Sequence, residues 1–95
     1  MMEPLPKQLR KNGYGYTQVK RGRRACLYEQ SIKGKIVGYE VFLPHISPAR
    51  QVFGKFYPER EAYPADEDFG YTAWAFTRWN NALTCYNQLE RPQNI

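Results

Sequence analysis

Cysteine and histidine are scarce in this 95-residue chain, which holds two of the first and one of the second. Cys26 and Cys85 are too few for a disulfide framework, and no C-x-x-C pair offers a zinc site. Both read as free, buried thiols. His45 is the only imidazole. A general base needs a nucleophile or carboxylate within reach, and the spacing supplies none. His45 therefore reads as a solvated loop residue, and the chain as a non-enzyme without cofactor or metal. Long apolar runs are missing too. No stretch approaches the ~20 apolar residues of a membrane span. The opening Met1-Met2-Glu3-Pro4-Leu5-Pro6-Lys7 has no apolar run for export, and no basic amphipathic helix points to a membrane surface. These absences predict a cytoplasmic protein with no membrane role.

Acids are nearly absent from the first third of the chain. Nine of the fourteen Lys and Arg residues lie between Lys7 and Lys35, and Glu29 is the one acid among them. That stretch carries +8, within a formal net charge of +5. The segment from Glu59 to Asp68 reverses the sign, with five acids against Arg60. Tyr14, Tyr16 and Tyr28 sit among the early cations. Cations pair with phosphates and rings stack on bases, so the combination points to DNA or RNA. The expected contacts are Arg21, Arg23, Arg24, Lys33 and Lys35 at two turns, extended by Lys20, Arg10 and Lys11, with Tyr14 and Tyr16 as stacking rings. The plainer reading of a charge run is a solvated face.

One domain fits this length, with ~60–65% of the unfolded surface buried on folding. Residues 1–13 hold two prolines, four charges and Asn12-Gly13, and are expected to form a flexible basic arm. Residues 14–91 form the domain. Tyr14 to Lys20, Arg24 to Ile32 and Ile36 to Leu43 read as strands, joined by turns at Arg21-Gly22-Arg23 and Lys33-Gly34-Lys35. In the third, Val37, Tyr39, Val41 and Leu43 share a face. Pro44 and Pro48 bracket a loop around His45. Gln51 to Tyr57 is a fourth extended segment, where Gly54 suggests a bulge. A long acidic loop follows from Pro58 to Gly70, with Phe69 turned inward and Asp66 or Asp68 capping a turn. The acid spacing does not match a calcium loop; a docking surface for a basic partner is a second use. Tyr71 to Phe76 is an edge strand or an extended lead-in. Thr77 is a candidate N-cap for a helix from Arg78 to Glu90, where Trp79, Ala82, Leu83, Tyr86 and Leu89 make one apolar stripe and Pro92 ends it. The expected fold is α+β: an antiparallel sheet of three or four strands packed by one C-terminal helix. Successive hairpin turns of a meander lie at opposite ends of the strand they share, so the cations are expected in a stripe along the sheet.

The order of elements resembles the AP2-type DNA-binding domain and some phage-integrase arm-binding domains. Tyr28-Glu29, Val52-Phe53-Gly54-Lys55-Phe56, and Phe76-Thr77 leading into Ala82, Leu83 and Tyr86 carry that resemblance over roughly residues 14–90. It implies a sheet laid against the DNA major groove. The long acidic loop before the helix departs from that pattern. Pro64-Ala65-Asp66-Glu67-Asp68-Phe69-Gly70 with Ala73-Trp74 is similar to small proteins of tailed bacteriophages, which implies a phage origin and host cytoplasm. The alternative function is a protein-binding inhibitor or modulator of a host enzyme or defence complex, with a host protein as partner.

Overall fold

A computed structural model describes residues 3–91 of the chain. Nine strands precede one helix: β1 Gln8–Lys11, β2 Tyr14–Arg21, β3 Cys26–Ile32, β4 Lys35–Phe42, β5 His45–Ser47, β6 Arg50–Val52, β7 Lys55–Tyr57, β8 Arg60–Ala62, β9 Ala73–Phe76 and α1 Trp79–Glu90. A short 3-10 turn at Asp66–Asp68 interrupts the acidic loop. The α+β class stands: β1-β2-β3-β4-β9 form one antiparallel five-stranded sheet, and α1 packs on it.

The sheet buries both faces over its centre. Leu27 and Val41 face the helix, where Ala82 and Tyr86 meet them, with Tyr39, Phe76 and Leu89 at the margin. Ala82, Tyr86 and Leu89 of the helical stripe read from the sequence make this contact, joined by Cys85, whereas Leu83 is not in it. Trp79 closes the near end edge-on to Tyr39, with ring centroids 5.4 Å apart. On the opposite face Tyr16, Cys26, Tyr28, Phe42 and Ala73 form a second core with Leu5. Its lid is the acidic segment: Tyr63 packs against Tyr16, Tyr28 and Phe42, with centroids 4.7–5.3 Å away, and Phe69 turns inward as expected. Rings carry this core because each buries a large area and keeps a polar edge for a partner. The Tyr28 hydroxyl donates to the Pro6 carbonyl at 2.7 Å, and the Tyr63 hydroxyl donates to Glu40 at 2.7 Å.

Several expectations change. The sheet has five strands and not three or four, because β1 and β9 join the meander, and the loops expected around His45 and from Pro58 contain the paired strands β5 and β8. Residues 3–13 are no flexible arm: Gln8–Lys11 pair with β2, Glu3 bridges Arg60, and Leu5 is buried. The cause is local, since Asn12 and Gly13 both take positive φ, the geometry of a two-residue hairpin turn. Met1 and Met2 lie outside the described residues. The segment 51–57 is no single strand: Phe53 and Gly54 take φ of 50° and 79° and turn it back into the β6–β7 hairpin. Thr77 does not cap the helix. Arg78 holds the cap position, and no side chain caps there. Pro92 lies outside the described residues.

Candidate nucleic-acid interface

β2 and β3 run antiparallel, so their connection at residues 22–25 stands at one end of the sheet. The β1–β2 and β3–β4 turns stand at the other, about 20 Å away by the rise of a seven-residue strand. The helix starts over the middle of the sheet, where Trp79 meets Tyr39, and finishes beside the first end. There the Glu90 carboxylate accepts three consecutive backbone N–H groups, from Arg23 at 2.9 Å, Arg24 at 2.7 Å and Ala25 at 2.5 Å. Burial pushes the Glu90 carboxyl up, and those three donors with the nearby Arg24 outweigh it, leaving a lowered pKa. A carboxylate at a helix C-terminus meets the negative end of the macrodipole; the turn donors and surrounding cations offset that. A Cβ at Gly22 would overlap the Glu90 carboxyl group and force it to shift, so glycine leaves room for the carboxylate here.

Fixing the turn by its backbone leaves its side chains outward. Arg23 and Arg24 are exposed, and Arg24 reaches only the Arg91 carbonyl, at 3.4 Å. Lys20 is exposed and lies 5.8 Å from the Tyr86 ring centroid. Lys20, Arg23, Arg24 and Arg91 thus surround one end of the helix with Glu90 as the carboxylate at their centre. Among the described residues, none of the four forms an ion pair.

Arg21 is spent differently. Its guanidinium grips Glu61 by a two-point contact, 2.8 and 2.6 Å, and also donates to the Cys26 thiol. Glu61 holds Arg21's pKa above its ordinary value, and Arg21 holds the Glu61 carboxyl below its own. Of the acidic segment, Glu61 alone neutralises an early cation by an ion pair among the described residues. The 3-10 turn lies elsewhere, with Asp68 accepting from the Ala65 N–H at 2.9 Å.

The ten residues expected to touch nucleic acid therefore fall into three groups. Lys20, Arg21, Arg23 and Arg24 gather at the helix C-terminal end. Arg10, Lys33 and Lys35 stand at the far end of the sheet, exposed. Lys11, Tyr14 and Tyr16 belong to the second core: Lys11 donates to the Pro64 carbonyl and lies over the Tyr63 ring, Tyr14 packs half-buried, and Tyr16 is 6% exposed. Tyr16 offers no open face to a base. The structure does not join the cations into one stripe.

Sequence reasoning missed two things here. Arg91 joins the basic end because the helix finishes there. The second is a ribbon, β5 with β8 and then β6 with β7, that leaves the sheet after β4. Every residue from Pro48 to Arg60 is exposed. Its root is tied to the basic end, because Glu61 of β8 is the residue Arg21 grips. The signal available was Phe53-Gly54 between two short β-prone runs, which is a hairpin pattern.

His45 is exposed on β5 while Cys26 is buried, and among the described residues no hydrogen bond joins His45 to a thiol or carboxylate. Burial pushes the Cys26 thiol up to about 11. Among the described residues no helix is long and apolar enough to cross a membrane. Comparison with protein families, with curated proteins and with solved structures finds no match to this chain.

Proposed function

We propose that this protein is a non-enzymatic nucleic-acid-binding protein that contacts phosphates through the end of its sheet at residues 20–25. The observation that carries the reading is the Glu90 lock. It holds the backbone of Arg23, Arg24 and Ala25 in one conformation and leaves Lys20, Arg23 and Arg24 exposed and, among the described residues, outside any ion pair. A fixed turn backbone removes that part of the ordering cost on meeting phosphate, and Arg presents a planar fork suited to it. Arg21 orders the site and is not a phosphate contact. Lys33 and Lys35, at the far end, add long-range attraction only.

The test is fluorescence anisotropy of a labelled DNA or RNA at two salt concentrations. Three cations on phosphates predict a fall in affinity of ~40-fold between 50 and 200 mM salt. Affinity unchanged over that interval removes the phosphate reading. The inhibitor reading has one observation of its own, the exposed apolar side chains of the ribbon. Protein partners that survive nuclease treatment in a pull-down, with no nucleic acid recovered, would favour it.

A further inference from the structure

The described residues make three two-residue hairpin turns with the same backbone signature. Asn12-Gly13, Lys33-Gly34 and Phe53-Gly54 all take positive φ at both positions, with first-residue values of 55°, 49° and 50°. Asparagine tolerates that conformation, and glycine adopts it freely. A bulky phenylalanine there is an outlier that carries backbone strain. Phe53 is also 101% exposed, so burial gives nothing back. A residue that fits its turn poorly and touches nothing in its own fold is placed for something outside it.

The surroundings indicate what. Between Pro48 and Pro58 the hairpin carries Arg50 and Lys55 and no acid. In its register Arg50 faces Tyr57 and Val52 faces Lys55. Directly opposed residues share a face, so both cations lie on the same side of the ribbon. Arg50 sits over the Tyr57 ring, 5.5 Å from its centroid. The tip is an unpartnered ring, and cations stand behind it.

We propose that the β6–β7 hairpin is a duplex-DNA arm: Arg50 and Lys55 lie along phosphates, and Phe53 enters the base stack from the minor groove and bends the helix. Apolar wedges on basic scaffolds act in this way. The shallow, wide minor groove of A-form RNA suits such a ribbon less well. The proposal rests on the nucleic-acid reading above and names its substrate as double-stranded DNA.

The experiment uses a 30-base-pair duplex with a donor and an acceptor dye at its ends, titrated with the full chain. Three proteins are compared: the native sequence, Phe53→Asn, and Arg23→Ala with Arg24→Ala. Asparagine suits the turn, so Phe53→Asn folds at least as well, and a melting curve checks this. The expected result is a rise in energy transfer on binding the native protein. Phe53→Asn should bind within about tenfold as tightly and produce no rise. The double arginine variant should bind weakly and still bend DNA at saturation. Native protein that binds without a change in energy transfer overturns the arm, as does bending that survives Phe53→Asn; the phosphate reading stands in either case. No binding by the native protein removes both. Phe53-dependent self-association in sedimentation, without bending, assigns the tip to a protein contact and also overturns the DNA arm.

Discussion

Arg21 and Glu61 join two parts of the molecule that lie 40 positions apart in sequence, with a two-point contact whose shorter distance is 2.6 Å. Glu61 also accepts the Leu5 N–H at 3.1 Å. One carboxylate therefore ties the end of β2, the root of the ribbon and the N-terminal segment together. Its side chain is 7% exposed, whereas that of Arg21 is 34% exposed.

Removing Arg21 strands a buried carboxylate. Arg21→Ala should cost about 2–3 kcal/mol, below the range for a fully buried pair because water reaches the guanidinium. Arg21→Lys should recover only part, since an ammonium cannot make the two-point contact. Chemical denaturation measures both. The Glu61 carboxyl is lowered in the folded state, so its contribution is complete above the ordinary carboxylate pKa and is lost as pH falls through the lowered one. Arg21→Ala should therefore flatten the acid limb of the stability curve.

Glu90 and Gly22 act on the same turn. Glu90→Ala leaves three turn donors to water and should cost about 1–2 kcal/mol. Gly22→Ala should displace the same carboxylate. The double variant should then be less destabilised than the sum of the two, which a double-mutant cycle reads directly.

Glu40 behaves oppositely to Glu61. Burial raises its carboxyl, partly countered by the Tyr63 hydroxyl and by Lys11. A carboxyl with a raised folded pKa stabilises most when protonated, so its contribution grows as pH falls from neutral through that pKa. Glu40→Gln keeps an acceptor for Tyr63 without the charge. It should leave stability at pH 7 unchanged or higher, and should remove the rise on mild acidification that the raised Glu40 carboxyl predicts for the native chain in thermal melts.

Cys26 is fully buried, with its thiol pushed up by burial to about 11 despite the Arg21 guanidinium beside it. Cys85 is half-buried on the helix, and burial raises its thiol too. A thiol reagent at pH 8 should modify Cys85 first. Cys26 should react only as fast as the fold opens, and faster in Arg21→Ala. Mass-resolved labelling over time separates the two sites.

The central meander and the helix were legible because their patterns are strong: Tyr39, Val41 and Leu43 repeat at two, and Ala82, Tyr86 and Leu89 follow helical spacing. β1 was not, because Gln8-Leu9-Arg10-Lys11 has one apolar residue and reads as a solvated run. Only the Asn12-Gly13 turn marks it. Gly54 suggested a bulge, although the residue before it decided the matter by taking positive φ. The contacts that sort the cations were out of reach altogether. That Glu61 neutralises Arg21, and that Glu90 binds the backbone and not the side chains of Arg23 and Arg24, depends on chain segments 40 and 66–67 positions away. Charge counting could not tell apart the eight cations expected at the interface; packing separates them.

The most direct measurement compares salt dependence for charge reversals at the two ends of the sheet. Arg23→Glu with Arg24→Glu should lower affinity for labelled DNA and reduce the slope of log K against log salt by about 2. Lys33→Glu with Lys35→Glu should weaken binding slightly and leave the slope nearly intact. Equal losses from both pairs, or a larger loss from Lys33 and Lys35, would contradict a phosphate site at the helix C-terminal end.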